Sequence, residues 1–395
     1  MSAAQGFLFF LLLLGALAAV LRLVSRQAPS IPYQVVLAAA GIVLGLVPGL
    51  PLPRIRPDLI LLAFVPGLVF EAALTLDLRE LRRMAVPVGL LATAGVFIGV
   101  VLMAAALHFS LGFDWAAAFV LGAIVAATDP IAVVSVLRGL RAPGGLTAIL
   151  EGESLFNDGT GVAVFAAVVA SIAGGAPSIG DAGGRFLLLT LGGAAVGVVV
   201  GAASVLLLRR AQEAEVEILV TLVAAYGSYL AADVLHFSGI VSVVVAGIVV
   251  ARFGRAGERL GGTQLLGFWN LLAFVLNAVL FVLVGAALPT SSLLRLVPLV
   301  LGAYLVMLAV RAIPVYGLLA ASDPRGRSIP WAWRHLTFWG GLRGALSVAL
   351  ALAVAETPGI DARVSTVAYG IVVLSLLVQG GLIVPLARRL GLAGR

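Results

Sequence analysis

Apolar runs long enough to cross a bilayer follow one another from the start of this chain to its end, and nothing constrains its fold more. A lipid core offers the backbone no hydrogen-bond partners, so a spanning segment is either a helix or a strand of a closed barrel. Barrel strands alternate apolar and polar residues over about ten positions. The runs here are apolar on every face and about twenty residues long, the length a spanning helix needs. Only 11% of the residues are charged and 62% are hydrophobic, whereas soluble domains carry roughly 25% charged residues. The chain therefore reads as one all-α polytopic membrane domain over residues 1–395, not as two or three soluble ones.

Thirteen helices are predicted, over residues 6–24, 31–49, 57–77, 86–109, 114–137, 144–173, 184–208, 215–235, 239–252, 263–288, 292–319, 332–355 and 362–387. The ninth is short, and the tenth leaves room for an interfacial piece at its start. Residues 6–24 resemble the apolar part of a secretory signal, but another apolar run follows and no small-residue cleavage site does, so they are read as the first span. All 25 basic residues are arginine, and the net charge of +7 would suggest nucleic acid in a soluble protein. Here the arginines sit in the short gaps between runs, which is a topology signal and argues against a nucleic-acid partner. With the N-terminus outside, the inner segments hold Arg22, Arg26, Arg79, Arg82, Arg83, Arg138, Arg141, Arg209, Arg210, Arg252, Arg255, Arg259, Arg325, Arg327, Arg334, Arg388, Arg389 and Arg395. The outer loops hold Arg54, Arg56, Arg185, Arg295 and Arg363, and Arg311 and Arg343 fall within spans. That asymmetry puts the C-terminus in the cytoplasm. The chain has no cysteine, so no disulfide framework is expected.

An odd helix count invites a test for inverted repeats. If six helices recur after one linker helix, helix n pairs with helix n+7 in opposite orientation, and helix 5 pairs with helix 12. Both are interrupted, the first at Ala127-Thr128-Asp129-Pro130 and the second at Trp339-Gly340-Gly341-Leu342-Arg343-Gly344. Broken apolar segments at matching positions of two halves are the best sequence pointer to a transporter's binding site.

The acids inside apolar runs carry the functional argument, because an ionisable group at membrane depth is costly and is a site until shown otherwise. They concentrate in Glu151-Gly152-Glu153-Ser154-Leu155-Phe156-Asn157-Asp158 and in Thr128-Asp129-Pro130. Ser154 and Asp158 are four apart on helix 6 and share a face; Glu153 and Asn157 share another, rotated by about 100°. Hard cations take oxygen ligands, so Ser154, Asp158, Asp129 and carbonyls freed by the Pro130 break form a candidate sodium-sized site. Hydrogen bonding between helices would account for a lone Ser or Asn, but not for two buried aspartates. Glu153 is expected to pair with Arg343 as a tie between the broken halves. Glu71 is placed on the cytoplasmic ion path or at the interface, Arg311 is expected to snorkel, Asp233 is placed near the outer surface, and Glu213, Glu215 and Glu217 read as a solvated loop face.

These residues carry a resemblance. Thr128-Asp129-Pro130, Glu151 to Gly161, Phe338-Trp339-Gly340-Gly341-Leu342-Arg343-Gly344-Ala345, Gln379-Gly380-Gly381, Leu235-His236-Phe237-Ser238-Gly239 and Leu276-Asn277-Ala278 resemble, in order, the signatures of the NhaP-type monovalent cation:proton antiporters. The resemblance implies a thirteen-helix fold with two inverted six-helix repeats, helices 5 and 12 crossing at their breaks, and a homodimer in the lipid membrane. It implies that Asp129, Ser154, Asp158 and the Thr128 carbonyl hold the ion, that Asn157 braces the site, and that Glu71 reaches it through water. Residues 1–83 and 215–288 would then form mainly dimer scaffold, 86–173 and 292–387 the ion-transport bundle, and 184–208 the linker helix. Only a few residues follow the last helix, so no large cytoplasmic regulatory domain is expected.

The expected function is secondary transport, not enzymatic catalysis: Na⁺, with Li⁺ as a further substrate, exchanged for H⁺ by alternating access, without a cofactor. Cation and proton compete for Asp158, assisted by Asp129. Asn157 stands where a related class has a second aspartate, which argues for electroneutral one-to-one exchange and a role in pH homeostasis. Potassium/proton exchange is the alternative within the class, since oxygen ligands do not choose between alkali ions. A cation channel could use the same ligands, but inverted repeats do not suggest rings of identical loops. A retinal protein would need a lysine and an intramembrane aspartyl protease a GxGD motif, and both are absent from the sequence.

Overall fold

The computed structural model describes residues 3–25, 32–47, 57, 60–173, 179–254, 262–287, 293, 295–326, 328–355, 357 and 359–392. Arg26, Arg54, Arg56, Arg255, Arg259, Arg327 and Arg395 of the topology argument lie outside the described residues. Those residues hold seven long apolar helices and six shorter apolar segments, thirteen in all, and they include no strand. The multi-pass, all-helical architecture is as the sequence predicts.

The helices keep the numbers given above. Helix 6 (Gly144–Ala173) runs unbroken for 30 residues over the predicted span. Helix 4, Ala85–Leu111 including a π turn, ends where Gly112 turns left-handed at φ 67°, a conformation that costs glycine little. Asp114 then caps helix 5, its Oδ1 accepting the Ala117 N–H at 2.9 Å. Helix 7 (Ile179–Leu208) starts five residues before the predicted edge, carrying Gly183 and Gly184 inside its first turns. Helix 11 (Val297–Ser322) has Pro298 in its first turn, where the missing N–H has no partner to lose. Helix 10 (Gly262–Ala286) is continuous over its described length.

Helices 2 and 10 pack through glycines. Gly41 and Gly45 of helix 2 (Tyr33–Gly45) lie against the backbone of Val282 and Ala286 on helix 10, and Gly285 lies against the carbonyl of Ala38. Small residues let backbones approach this closely in lipid, where dispersion and not the hydrophobic effect drives association. Trp269 Nε1 donates to Thr221 Oγ1 at 3.0 Å and joins helix 10 to helix 8 (Ala214–Val234). Tyr226 OH donates at 3.0 Å to the Ala63 carbonyl, a group in the π turn Ile60–Phe64 of helix 3. Helices 7 and 8 expose Leu187, Leu191, Val199, Leu219, Val223 and Leu230, an apolar face suited to lipid. One expectation on helix 8 fails. Glu213 and Glu215 are exposed, but Glu217 is only 3% exposed: it shares the first turn of the helix with Glu215, yet lies on the face that turns into the protein.

Helices 5 and 12 are both broken at the predicted places. Helix 5 consists of Trp115–Ile124 and Ile131–Gly139, and helix 12 of Trp331–Trp339 and Ala345–Ala355. The first half of helix 5 packs on the second half of helix 12. Helix 13 (Arg363–Arg389) closes over the break, and its Ser375 Oγ accepts the Arg343 N–H at 3.0 Å.

Candidate functional site

Breaking helix 5 leaves peptide groups that need partners outside a helix. Helix 6 supplies most of them. Asn157 Oδ1 accepts the Thr128 N–H at 3.2 Å, and its Nδ2 donates to Thr128 Oγ1 at 2.8 Å. Ser154 Oγ donates to the Thr128 carbonyl at 2.6 Å. Helix 12 supplies the next partner, the Leu342 carbonyl, which accepts the Asp129 N–H at 2.8 Å. Asp129 Oδ1 in turn accepts the N–H of Ile131 at 3.0 Å and caps the second half of helix 5 across Pro130.

Charge is sorted over the four half-helix ends at the crossing. Carbonyls at a helix C-terminus carry partial negative charge and the N–H groups at an N-terminus partial positive charge. Arg343 Nη1 donates to the carbonyls of Ala126 and Ala127 at 3.3 and 3.1 Å, just past the end of the first half of helix 5. Ser347 Oγ reaches the Ile124 carbonyl at 2.8 Å. Arg311 does the same for helix 12, donating to the Phe338 carbonyl at 3.2 Å and the Thr337 carbonyl at 3.1 Å. The carboxylate of Asp129 sits at the opposite kind of end. It caps Ile131 and lies against Gly344, where any Cβ would overlap it, one residue before the second half of helix 12 begins.

The expected Glu153–Arg343 ion pair is not what forms. Glu153 pairs with Arg311 at 3.0 Å, and both side chains are at least nine-tenths buried. Arg343 is occupied by the helix 5 carbonyls. Arg311 does not snorkel either: its guanidinium fills the space beside Gly341 that a Cβ would take. The sequence placed two arginines within spans but could not say which one helix 6 would face, because helix 11 is brought there only by the packed bundle.

The two edges of helix 6 face different spaces. Ser154 and Asp158 line a cavity of about 420 Å³ together with Thr128, Asp129 and Glu71. Glu153 and Asn157 line a separate one of about 40 Å³ with Arg311 and Arg343. The large cavity continues past Glu71 to Arg22, Arg138 and Glu151. Arg138 is 53% exposed, so this end opens to the outside of the protein. Glu151, inside helix 6, pairs with it at the end of helix 5.

Thr128, Ser154 and Asn157 are buried, while Asp129, Asp158 and Glu71 are partly accessible through the cavity. Among the described residues no group donates a hydrogen bond to the Asp158 carboxylate. A carboxylate without protein donors has its lone pairs open to whatever the cavity brings. Asp158 can therefore take a proton or a cation. The oxygens of Asp129, Ser154 and Thr128 on the same wall offer a cation further hard ligands. Ser347 and Asn277 also line the cavity; the sequence singled out Asn277 only within the Leu276-Asn277-Ala278 signature, without a site role, and missed Ser347. Their signal was present: each is a polar side chain within an apolar helical stretch.

Against known proteins, a family model described as "Sodium/hydrogen exchanger, transmembrane" matches residues 9–389. The Na(+)/H(+) antiporter ApNhaP of Aphanothece halophytica is 36% identical over 371 residues, covering 92% of this chain and 70% of the relative. The Na(+)/H(+) antiporter NhaP of Pseudomonas aeruginosa is 36% identical over 339 residues, 83% of this chain and 80% of the relative. The structure of the sodium proton antiporter MjNhaP1 from Methanocaldococcus jannaschii at pH 8 superposes with a TM-score of 0.79 over 100% of both chains at 20% identity, a likeness of fold.

Proposed function

This chain belongs to the transmembrane sodium/hydrogen exchanger family, and from that premise we propose that it exchanges Na⁺ for H⁺ by alternating access, with both ions competing for Asp158. The observation that carries the reading is the Asp158 carboxylate itself, unpartnered at the wall of a cavity that reaches the outside of the protein. A cation bound there takes oxygens from Asp158, Asp129, Ser154 and the Thr128 carbonyl, with Glu71 acting through water along the cavity. Asn157 holds Thr128 in place, and Glu153, Arg311 and Arg343 hold the crossing. Li⁺ fits the same hard ligands, and K⁺/H⁺ exchange is the reading to separate by assay.

Exchange is electroneutral, one proton per cation, since Asn157 carries no proton to the site. The N-terminus lies outside and the C-terminus in the cytoplasm, so the cavity past Arg22 and Arg138 opens inward. Residues 1–83 and 215–288 form the scaffold of a homodimer, 86–173 and 292–387 the moving bundle, and 184–208 the linker. The bundle moves against the scaffold when the Asp158 charge is compensated, by either ion. In everted vesicles or proteoliposomes, Asp158→Asn abolishes Na⁺-driven proton movement while the protein still inserts and folds. Full exchange by that variant would end the proposal. Wild-type exchange with K⁺ in preference to Na⁺ would establish the alternative.

A further inference from the structure

Asn277 stands opposite the crossing, on helix 10. It falls in an apolar stretch, Leu271-Leu272-Ala273-Phe274-Val275-Leu276-Asn277-Ala278-Val279-Leu280, where an amide costs free energy unless it is satisfied. Its Oδ1 is buried, and no donor reaches it. Membrane helices use asparagine as glue when the amide finds a partner on the neighbouring helix. Here none does, so glue does not account for the residue. The side chain lines the same cavity as Asp129 and Asp158. Asn270, Ala273 and Phe274 line it too, and with Asn277 they follow the i, i+3, i+4, i+7 spacing of one helical face. Helix 10 also packs on the second half of helix 12, so this face lies where the scaffold meets the broken helices.

We infer that Asn277 is a contribution of scaffold helix 10 to cation binding: its amide oxygen turns to the bound cation, directly or through one water of its shell. This deepens the exchange reading and rests on it. The other oxygens assigned to bind the ion directly come from helices 5 and 6, and Glu71 of helix 3 reaches it only through water. A ligand from helix 10 would be made only while the bundle stands in the position seen here, and would be lost as the bundle moves. The cation would then bind more tightly on this side of the cycle than on the other, whereas a proton on Asp158 needs no such ligand. Asn277 is thus a positioning residue for the cation half of the exchange. It also helps discriminate between ions, because a fixed amide on the far wall meets cations of different size at different distances.

The test compares Asn277→Leu and Asn277→Thr with the unaltered protein in proteoliposomes, measuring Na⁺, Li⁺ and K⁺ dependence of proton movement on the cavity side and on the opposite side. Asn277→Leu is expected to raise the apparent KM for Na⁺ about five- to tenfold, the worth of one oxygen contact. That rise appears only with Na⁺ on the cavity side, the maximal rate stays within about twofold, and Asn277→Thr restores part of the affinity. An unchanged KM and ion preference in both variants overturns the inference, as does an equal rise from both sides. Na⁺-dependent thermal stabilisation in detergent reads binding without transport. If the unaltered protein binds Na⁺ but does not exchange it, the exchange reading fails and the ligand role of Asn277 is still judged by the loss of that stabilisation. Should Asn277→Leu fail to fold, Asn277→Thr in the same binding assay decides the matter.

Discussion

The pairing of Glu153 with Arg311 can be put to a quantitative test. Both side chains are buried, at 5% and 8% exposure, and they meet at 3.0 Å. Arg311→Met keeps an unbranched apolar stem and most of the side-chain volume but removes the guanidinium and its charge. It leaves the Glu153 carboxylate without its cation and strips the Phe338 and Thr337 carbonyls of their donor. Removing one partner of a buried pair costs about 3–5 kcal/mol, mostly because the other charge is left uncompensated. Glu153→Gln should cost less, since the guanidinium keeps its two carbonyls. In a double-mutant cycle the residues of a direct contact couple by about 0.5–3 kcal/mol. Arg343→Met, by contrast, frees the Ala126 and Ala127 carbonyls, and its coupling to Glu153→Gln should be much the smaller. Thermal unfolding in detergent without Na⁺ measures all three single variants and both double variants. A coupling of Glu153 to Arg343 equal to or larger than its coupling to Arg311 would refute this account of how the crossing is held.

Two further outcomes follow from local geometry. Gly341→Ala places a methyl where the Arg311 guanidinium lies, so it should lower thermal stability by about as much as overpacking a core does, 1–3 kcal/mol; an Arg311→Met background should relieve most of that loss. Asp361, in the loop before helix 13 and outside the spans, is held below the usual carboxylate range, first by its hydrogen bond from the Arg363 side chain. A depressed carboxylate contributes stability above its unfolded range and loses it as pH falls through its folded one. The difference in melting temperature between the unaltered protein and Asp361→Asn should accordingly be largest near neutrality and shrink on acidification, and a constant difference would refute the assignment.

Much of this molecule was legible in one dimension because the bilayer allows so little. Length and apolarity decided thirteen spans, since no other backbone arrangement of such runs survives in lipid. Helix 6 was readable to its ends, and the four-residue spacing of Ser154 and Asp158 placed them on one face because helical geometry does not depend on neighbours. Pro130 and the Gly340–Gly341 pair marked the breaks for equally local reasons. Glu217 shows where local reading stops: whether the first turn of helix 8 meets water or protein depends on what packs there.

The choice between Arg311 and Arg343 also belonged to the tertiary structure. Both arginines were visible in the sequence as charges within spans, but a charge in lipid takes whichever partner the packed bundle brings within reach. Helix 11 brings Arg311 to Glu153, and Gly341 leaves it room. The crossing turns Arg343 toward the carbonyl end of helix 5. Asn277 is the same lesson for the site. Its sequence says only that an amide sits in an apolar helix; that the side chain lines the cavity of Asp158 with its Oδ1 unpartnered is decided by how helix 10 packs against the crossing. Spans, breaks and faces follow from a chain's own periodicity in lipid, whereas the partners of Glu153, Arg311 and Arg343 do not, because they are set by contacts between helices far apart in the chain.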